Sequence, residues 1–272
     1  MVCAEASYGL AIIPAVRRYR DGTLRLLGEE LFDYRTFLYH GDSNESLLRT
    51  ALSALAQTHE CLEVVAVRAP ERWKVMEEMN LLPFTEAPLV DRTEISAEQF
   101  AEMHNRLGRS IRRFQKLGFQ VKTYHGDNAE LLRSIYVRKA VQDPVSLFHD
   151  SARVEFIIQA ARSASQCCEI FTLECGPRLA AALVTWMDGS FRRFYTGWFD
   201  HEYGKLSPAM TLIYETTRQT LAGGLNCDYM TGTQPYKLRL ATGSVPLYRL
   251  RATPQQLKAL GEPVGAERRL AG

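Results

Sequence analysis

The chain has 272 residues, 46% hydrophobic and 10% aromatic, which is ample material for a packed core in one large domain or two halves. Its formal net charge of +2 excludes a global field for nucleic acid, so any such binding needs a local basic patch. No segment approaches the ~20 apolar residues of a membrane helix, and the short apolar run at residues 9–16 has no basic region before it, so a cytoplasmic protein that does not span a membrane is expected.

In chain order, residues 11–18 and 23–27 read as strands joined by an Asp21-Gly22 turn. Residues 46–57 are an amphipathic helix with Leu47, Leu48, Ala51, Leu52 and Leu55 on one face. Residues 62–67 are a β-branched strand and 73–79 a short helix. Pro83 and Pro88 then interrupt regular structure, which sets a boundary within 83–95. From Ser96 the pattern restarts: Phe100, Met103, Leu107, Ile111, Phe114 and Leu117 keep helical spacing until Gly118. The other face of that helix carries Arg106, Arg109, Arg112, Arg113 and Lys116. It reads as a solvated face or as a phosphate-contacting patch. A strand at 119–124, helices at 129–141 and 153–164, and strands at 169–174, 179–187 and 191–199 follow, with Gly176-Pro177 and Asp188-Gly189 as turns. Residues 244–251 make a last strand, and from Pro263 onward the chain reads as frayed.

The stretch from 191 to 239 organises the rest. An aromatic strand (191–199) leads through a polar loop into a helix that Pro208 opens and Gly223-Gly224 closes. A strand at 225–230 follows, and then a turn that delivers Tyr236 and Lys237. Such a unit presents a helix N-terminus at the carboxyl end of a strand, where unpaired N–H groups and the helix dipole attract phosphate. The candidate anion site is therefore Ser207, Pro208, Ala209 and Met210, with Lys205 adding a cation.

Asp200, Tyr203, Ser207-Pro208, Asp228-Tyr229, Gly232 and Tyr236-Lys237 together resemble the CelD-like branch of the GNAT acyltransferase superfamily. That branch is known from bacterial cellulose-biosynthesis clusters and is related to the Fem-type aminoacyl-tRNA-dependent transferases. Weaker likeness extends to residues 24–35 and 110–118, and the strand and helix order agrees. The resemblance implies an α/β (α+β) GNAT fold, a mixed twisted sheet flanked by helices. It also implies a tandem chain: a reduced N-terminal half (1–90), an acyltransferase domain (96–252) and a tail (253–272). One residue departs from the pattern, since Ala209 stands where the branch has glycine, and its Cβ crowds a pyrophosphate.

Acyl transfer to an amine needs a held electrophile, a neutral amine and an oxyanion donor. A free alkylamine is neutral in only about one molecule per 10³ at pH 7, so a base helps. Asp228, at a strand end facing Tyr236-Lys237, is the favoured base, with His201, Glu202 and Asp200 as alternatives. The resemblance places Tyr236 and Lys237 by the cleft, Lys237 as a partner for an oxyanion or phosphate. Tyr195 and Trp198 are candidates for the acyl channel, with Asp200 and Tyr203 beside them. Six cysteines (3, 61, 167, 168, 175, 227) show no metal spacing, and Cys227 is a weak nucleophile candidate. The expected activity is acyl transfer from acetyl-CoA or another acyl-CoA to a small-molecule amine. The alternatives are an aminoacyl-tRNA donor and a non-catalytic GNAT-fold scaffold.

Overall fold

The computed structural model describes residues 2–6, 9–29, 31, 33–41, 45–68 and 74–261. The expected tail from Pro263, and Trp73 of the short helix, lie outside them. The chain divides into two compact units, Met1–Glu86 with Val245–Gly272, and Ala87–Ser244.

In the first unit, β1 (Val2–Ala6), β2 (Gly9–Ile13) and β5 (Leu38–Gly41) form one antiparallel sheet. β3 (Ala15–Arg17) and β4 (Leu24–Leu26) form a hairpin whose second strand runs parallel to β6 (Leu62–Val67). The single strand expected over 11–18 is thus two, broken at Pro14, which has no N–H to give a ladder. Helix α1 (Glu45–Ala54) buries Leu47, Leu48, Ala51 and Leu52 as its spacing predicts, and α2 (Lys74–Glu78) follows β6. The core also takes Leu250, Ala252, Leu257 and Leu260 from beyond the other unit. The last strand, Gly243–Ala252, pairs Tyr248 with Val67 and Ala252 with Leu62. The sequence places that strand with the acyltransferase half; in the sheet, one of its two neighbours is β6. A helix, Pro254–Ala259, stands where a tail was expected, capped by Thr253 and Gln256.

The boundary between units falls within β7 (Asn80–Val90), where the two prolines suggested a break. The strand runs through both, because a strand tolerates proline where its N–H would face away from the ladder.

In the second unit, α3 (Ala97–Met103) and α4 (Asn105–Lys116) replace the one long helix expected. His104, at φ −107°, breaks the helix, so Met103 and Leu117 are exposed while Phe100 and Phe114 are buried. Gly108 lets α4 approach closely: a Cβ there would lie 3.2 Å from the Tyr214 hydroxyl. β8 (Gln120–His125), α5 (Ala129–Gln142), α6 (Ser151–Ser163), β9 (Cys168–Cys175), β10 (Arg178–Asp188) and β11 (Phe191–Phe199) follow. Then come α7 (Pro208–Ala222), β12 (Asn226–Asp228) and α8 (Pro235–Leu240). The sheet is mixed. β8, β9, β10 and β11 are antiparallel neighbours, β12 runs parallel to β11, and the end of β7 pairs antiparallel with β12. Phe171, Leu173, Ala181, Leu183 and Phe194 pack one face against Phe100, Phe114, Leu212 and Tyr214. On the opposite face, Trp198 lies under the Arg138 guanidinium of α5 at 5.0 Å.

Candidate functional site

β11 and β12 part company midway. Their parallel pairing runs Phe191–Asn226, Arg192–Cys227 and Arg193–Asp228 and ends there, while β11 continues to Phe199. Just beyond that point the β10 register slips. Thr196 opposes Val184 and Phe194 opposes Thr185, so Tyr195 is the extra residue of a bulge. Bulges of this kind re-aim side chains next to functional sites.

The end of β11 then builds the start of α7. The Asp200 carboxylate accepts from Glu202 N at 2.9 Å and starts a 3₁₀ turn, His201–Leu206. Tyr203 seats this turn against Phe119 and Phe114, with ring centroids 5.1 and 6.3 Å away. Ser207 is forced into the left-handed region at φ +53°, a conformation that costs a non-glycine residue energy and is sustained by its surroundings. Its side chain does not cap the helix, and Pro208 has no N–H. The first intrahelical bond is Thr211 N to Ser207 O at 2.9 Å. The backbone N–H groups of Ala209 and Met210 are therefore the helix-end donors, beside exposed Lys205. The predicted anion-site residues are brought together in one run.

The predicted catalytic trio is also brought together, with a different task for two members. Asp228 has no exposed surface; its Oδ2 accepts from Arg193 Nη1 at 2.6 Å and its Oδ1 from Met230 N at 2.8 Å. A carboxylate so engaged is not placed to take a proton from an incoming amine, which corrects its reading as the base. Lys237 is buried as well, and its Nζ donates to Thr231 O at 2.7 Å and Met230 O at 3.3 Å. Asp228 and Lys237 thus hold one turn from both sides, a turn in which Met230 sits at φ +63°. Of the three, Tyr236 alone is accessible, at 37% exposure.

The predicted channel residues divide in the same way. Tyr195 is half-buried at the bulge. Trp198 is buried beneath Arg138, while Asp200 and Tyr203 shape the turn before α7. Cys227 is buried, and its thiol is pushed up to about 12 by desolvation, as is that of Cys168. A thiol that is buried and held in its protonated form is a poor nucleophile, which argues against that role for Cys227. Thiol labelling at pH 8 is expected to modify exposed Cys3 and Cys167 and to leave Cys168 and Cys227 unmodified until the protein unfolds.

Sequence reasoning missed Arg193, which joins Asp188 and Asp228, and a polar row on α5. In that row Lys139 Nζ donates to Gly197 O at 3.2 Å, and Gln142 Nε2 to Phe199 O at 2.6 Å. Tyr136 is fully buried, its hydroxyl has no hydrogen-bond partner among the described residues, and burial raises its pKa, with Tyr195 adding to the shift. Polar residues three apart on a helix whose other inward positions are apolar are the signal that could have drawn attention to them. Among the described residues no group of His, Cys, Asp and Glu could hold a metal, and no helix is long and apolar enough to cross a membrane.

No curated protein matches the chain in sequence. Among solved structures it is similar to the C-terminal domain of a putative lysylphosphatidylglycerol synthetase from Agrobacterium fabrum. The TM-score is 0.67 at 10% identity, covering 94% of this chain and 85% of that one. It is also similar to L-PGS from Bacillus licheniformis (TM-score 0.64, 10% identity, 96% and 88% covered) and to FemX (0.59, 10%, 94% and 89%). At these identities the likeness is one of fold. The family model for the acetyltransferase (GNAT) domain matches residues 101–238, and the parting of β11 and β12 before α7 lies inside that match: the chain belongs to the GNAT acetyltransferase domain family, a family of transferases.

Proposed function

We propose that the unit Ala87–Ser244 moves an acyl group from an acyl-CoA such as acetyl-CoA to an amine of a small-molecule acceptor, by direct attack. The observation that carries this reading is the start of α7. It is uncapped, strained at Ser207, flanked by Lys205, and offers the Ala209 and Met210 N–H groups to an anion. A diphosphate fits that donor set, and the Ala209 methyl narrows the approach without removing a donor. Helix-end attraction contributes about 0.3–2 kcal/mol, whereas micromolar affinity needs about 8, so the β11 edge and apolar contacts supply the rest. In the reaction the amine nitrogen bonds to the thioester carbon and gives up a proton to water, the C–S bond breaks, and the leaving thiolate takes a proton. With Asp228 and Lys237 occupied in the 228–231 turn, Tyr236, the exposed member of the predicted trio, is the proposed donor of that proton and recovers it from solvent. The Ser-Pro and Tyr-Lys pattern supports a place in the CelD-like branch, and the whole-chain likeness to longer relatives supports a reduced GNAT-like copy in the first unit.

Millimolar CoA or acetyl-CoA is expected to raise the thermal midpoint by several degrees, since a ligand at 100 times its Kd adds about 2.7 kcal/mol. A second reading, an aminoacyl-tRNA donor, is favoured by the exposed α4 cations Arg106, Arg109, Arg112, Arg113 and Lys116. No shift with either CoA species, together with tRNA binding that weakens steeply with salt, would replace the first reading by the second.

A further inference from the structure

The polar row of α5 lies along the edge of β11 that no strand covers among the described residues. Asp200 N bonds Ala180 O at 2.9 Å, which sets the phase of the β10–β11 ladder. Counting back along the register, Phe199 and Gly197 turn both their N–H and C=O groups away from β10. The β12 pairing has already ended at Arg193, so among the described residues no strand meets these groups. Their carbonyls are met by side chains instead, Lys139 on Gly197 and Gln142 on Phe199. Three helix residues advance about 4.5 Å and two strand residues about 6.6 Å, a mismatch that long side chains absorb.

Two features make this arrangement provisional. Burial holds the Lys139 ammonium below the usual lysine value, with Asp143 opposing the shift, so the contact keeps a cation partly desolvated for one neutral acceptor. One step back along the helix, the buried Tyr136 hydroxyl has no partner among the described residues. A seam in which two carbonyls are held by long side chains and a phenol is left unsatisfied has room in its hydrogen bonding for a ligand.

We propose that Lys139 and Gln142 form a displaceable clamp on the free edge of β11, specifying a donor whose arm carries amides able to take over both carbonyls. The clamp rests on the acyl-CoA reading, since the pantetheine arm of CoA has amides of this kind. It makes the empty edge selective, because an arm without N–H donors would leave both carbonyls unpaired once the side chains swing away.

The test uses the full chain and CoA itself. In the free protein, trace acetylation followed by mass spectrometry is expected to modify Lys139 more slowly than exposed Lys122 and Lys205. Saturating CoA should raise the Lys139 rate several-fold. Calorimetric titration of the K139M/Q142L double variant should show CoA bound about 2- to 10-fold more tightly for each hydrogen bond no longer broken. CoA binding to the native chain with an unchanged or slower Lys139 rate, or binding no tighter in the folded double variant, would overturn the clamp and leave the acyl-CoA reading standing. CoA binding by neither form would remove that reading and the clamp with it. Should the double variant not fold, the labelling rates on the native chain decide.

Discussion

Arg193→Met is expected to lower the unfolding free energy by about 3–5 kcal/mol, measured by urea denaturation at pH 7. Asp228 has no exposed surface, and Arg193 supplies a cation at 2.6 Å from its Oδ2. Removing one partner of a buried pair strands the other charge in a medium that solvates it poorly, which is why the loss exceeds that of any surface ion pair. Arg193 also holds Asp188 at the far end of the same hairpin, so one substitution loosens both the β10–β11 turn and the end of β12. Asp228→Asn, which removes the charge and keeps an acceptor for Met230 N, should cost less. A loss below about 1 kcal/mol for Arg193→Met would mean that the Asp228 charge is balanced by other means, and would return Asp228 to consideration as a base.

Ala209→Glu should separate stability from ligand binding. A carboxylate in the first turn of α7 faces the positive end of the helix and is expected to leave the unfolding free energy unchanged or raise it by about 0.3–1 kcal/mol. The same carboxylate occupies the place proposed for the donor's phosphates. CoA affinity should therefore fall at least about tenfold, which corresponds to 1.4 kcal/mol. Calorimetric titration alongside thermal unfolding reads both effects on one protein. Unchanged CoA affinity in a folded Ala209→Glu variant would move the phosphate site away from this helix. Unlike Arg193→Met, this change touches no buried pair, so its consequence is confined to binding.

The parts of this protein that local chemistry governs were legible in the sequence. β11 was bounded at both of its ends by aromatic alternation and the Asp188-Gly189 turn, and α7 by Pro208 and Gly223. The residues proposed for the anion site were chosen from the helix start alone. What was misread depends on partners far along the chain. Arg193 looks like a strand arginine facing water, and only the fold brings it to Asp228, 35 residues on. Asp228 looked free for chemistry for the same reason. β7 was hidden because two prolines weigh against a strand whenever the direction of each N–H is unknown. The last strand was visible as a strand, but its pairing with β6 carries no local signature. The break at His104 was masked by apolar spacing that continued across it, although the two residues whose exposure betrays the break, Met103 and Leu117, were counted on the buried face.

That last strand also sets an order of events during synthesis. The unit Ala87–Ser244 is contiguous, so all of its core residues have left the ribosome once its last residue emerges. The first unit is discontinuous. Its β6 edge waits for Tyr248 to Ala252, and its core waits for Leu257 and Leu260. The nascent chain therefore holds an unfinished hydrophobic surface, with the open edge of β6, throughout the translation of the transferase unit. A chain cut after residue 244 would keep every residue of that unit and leave the other permanently short of a strand.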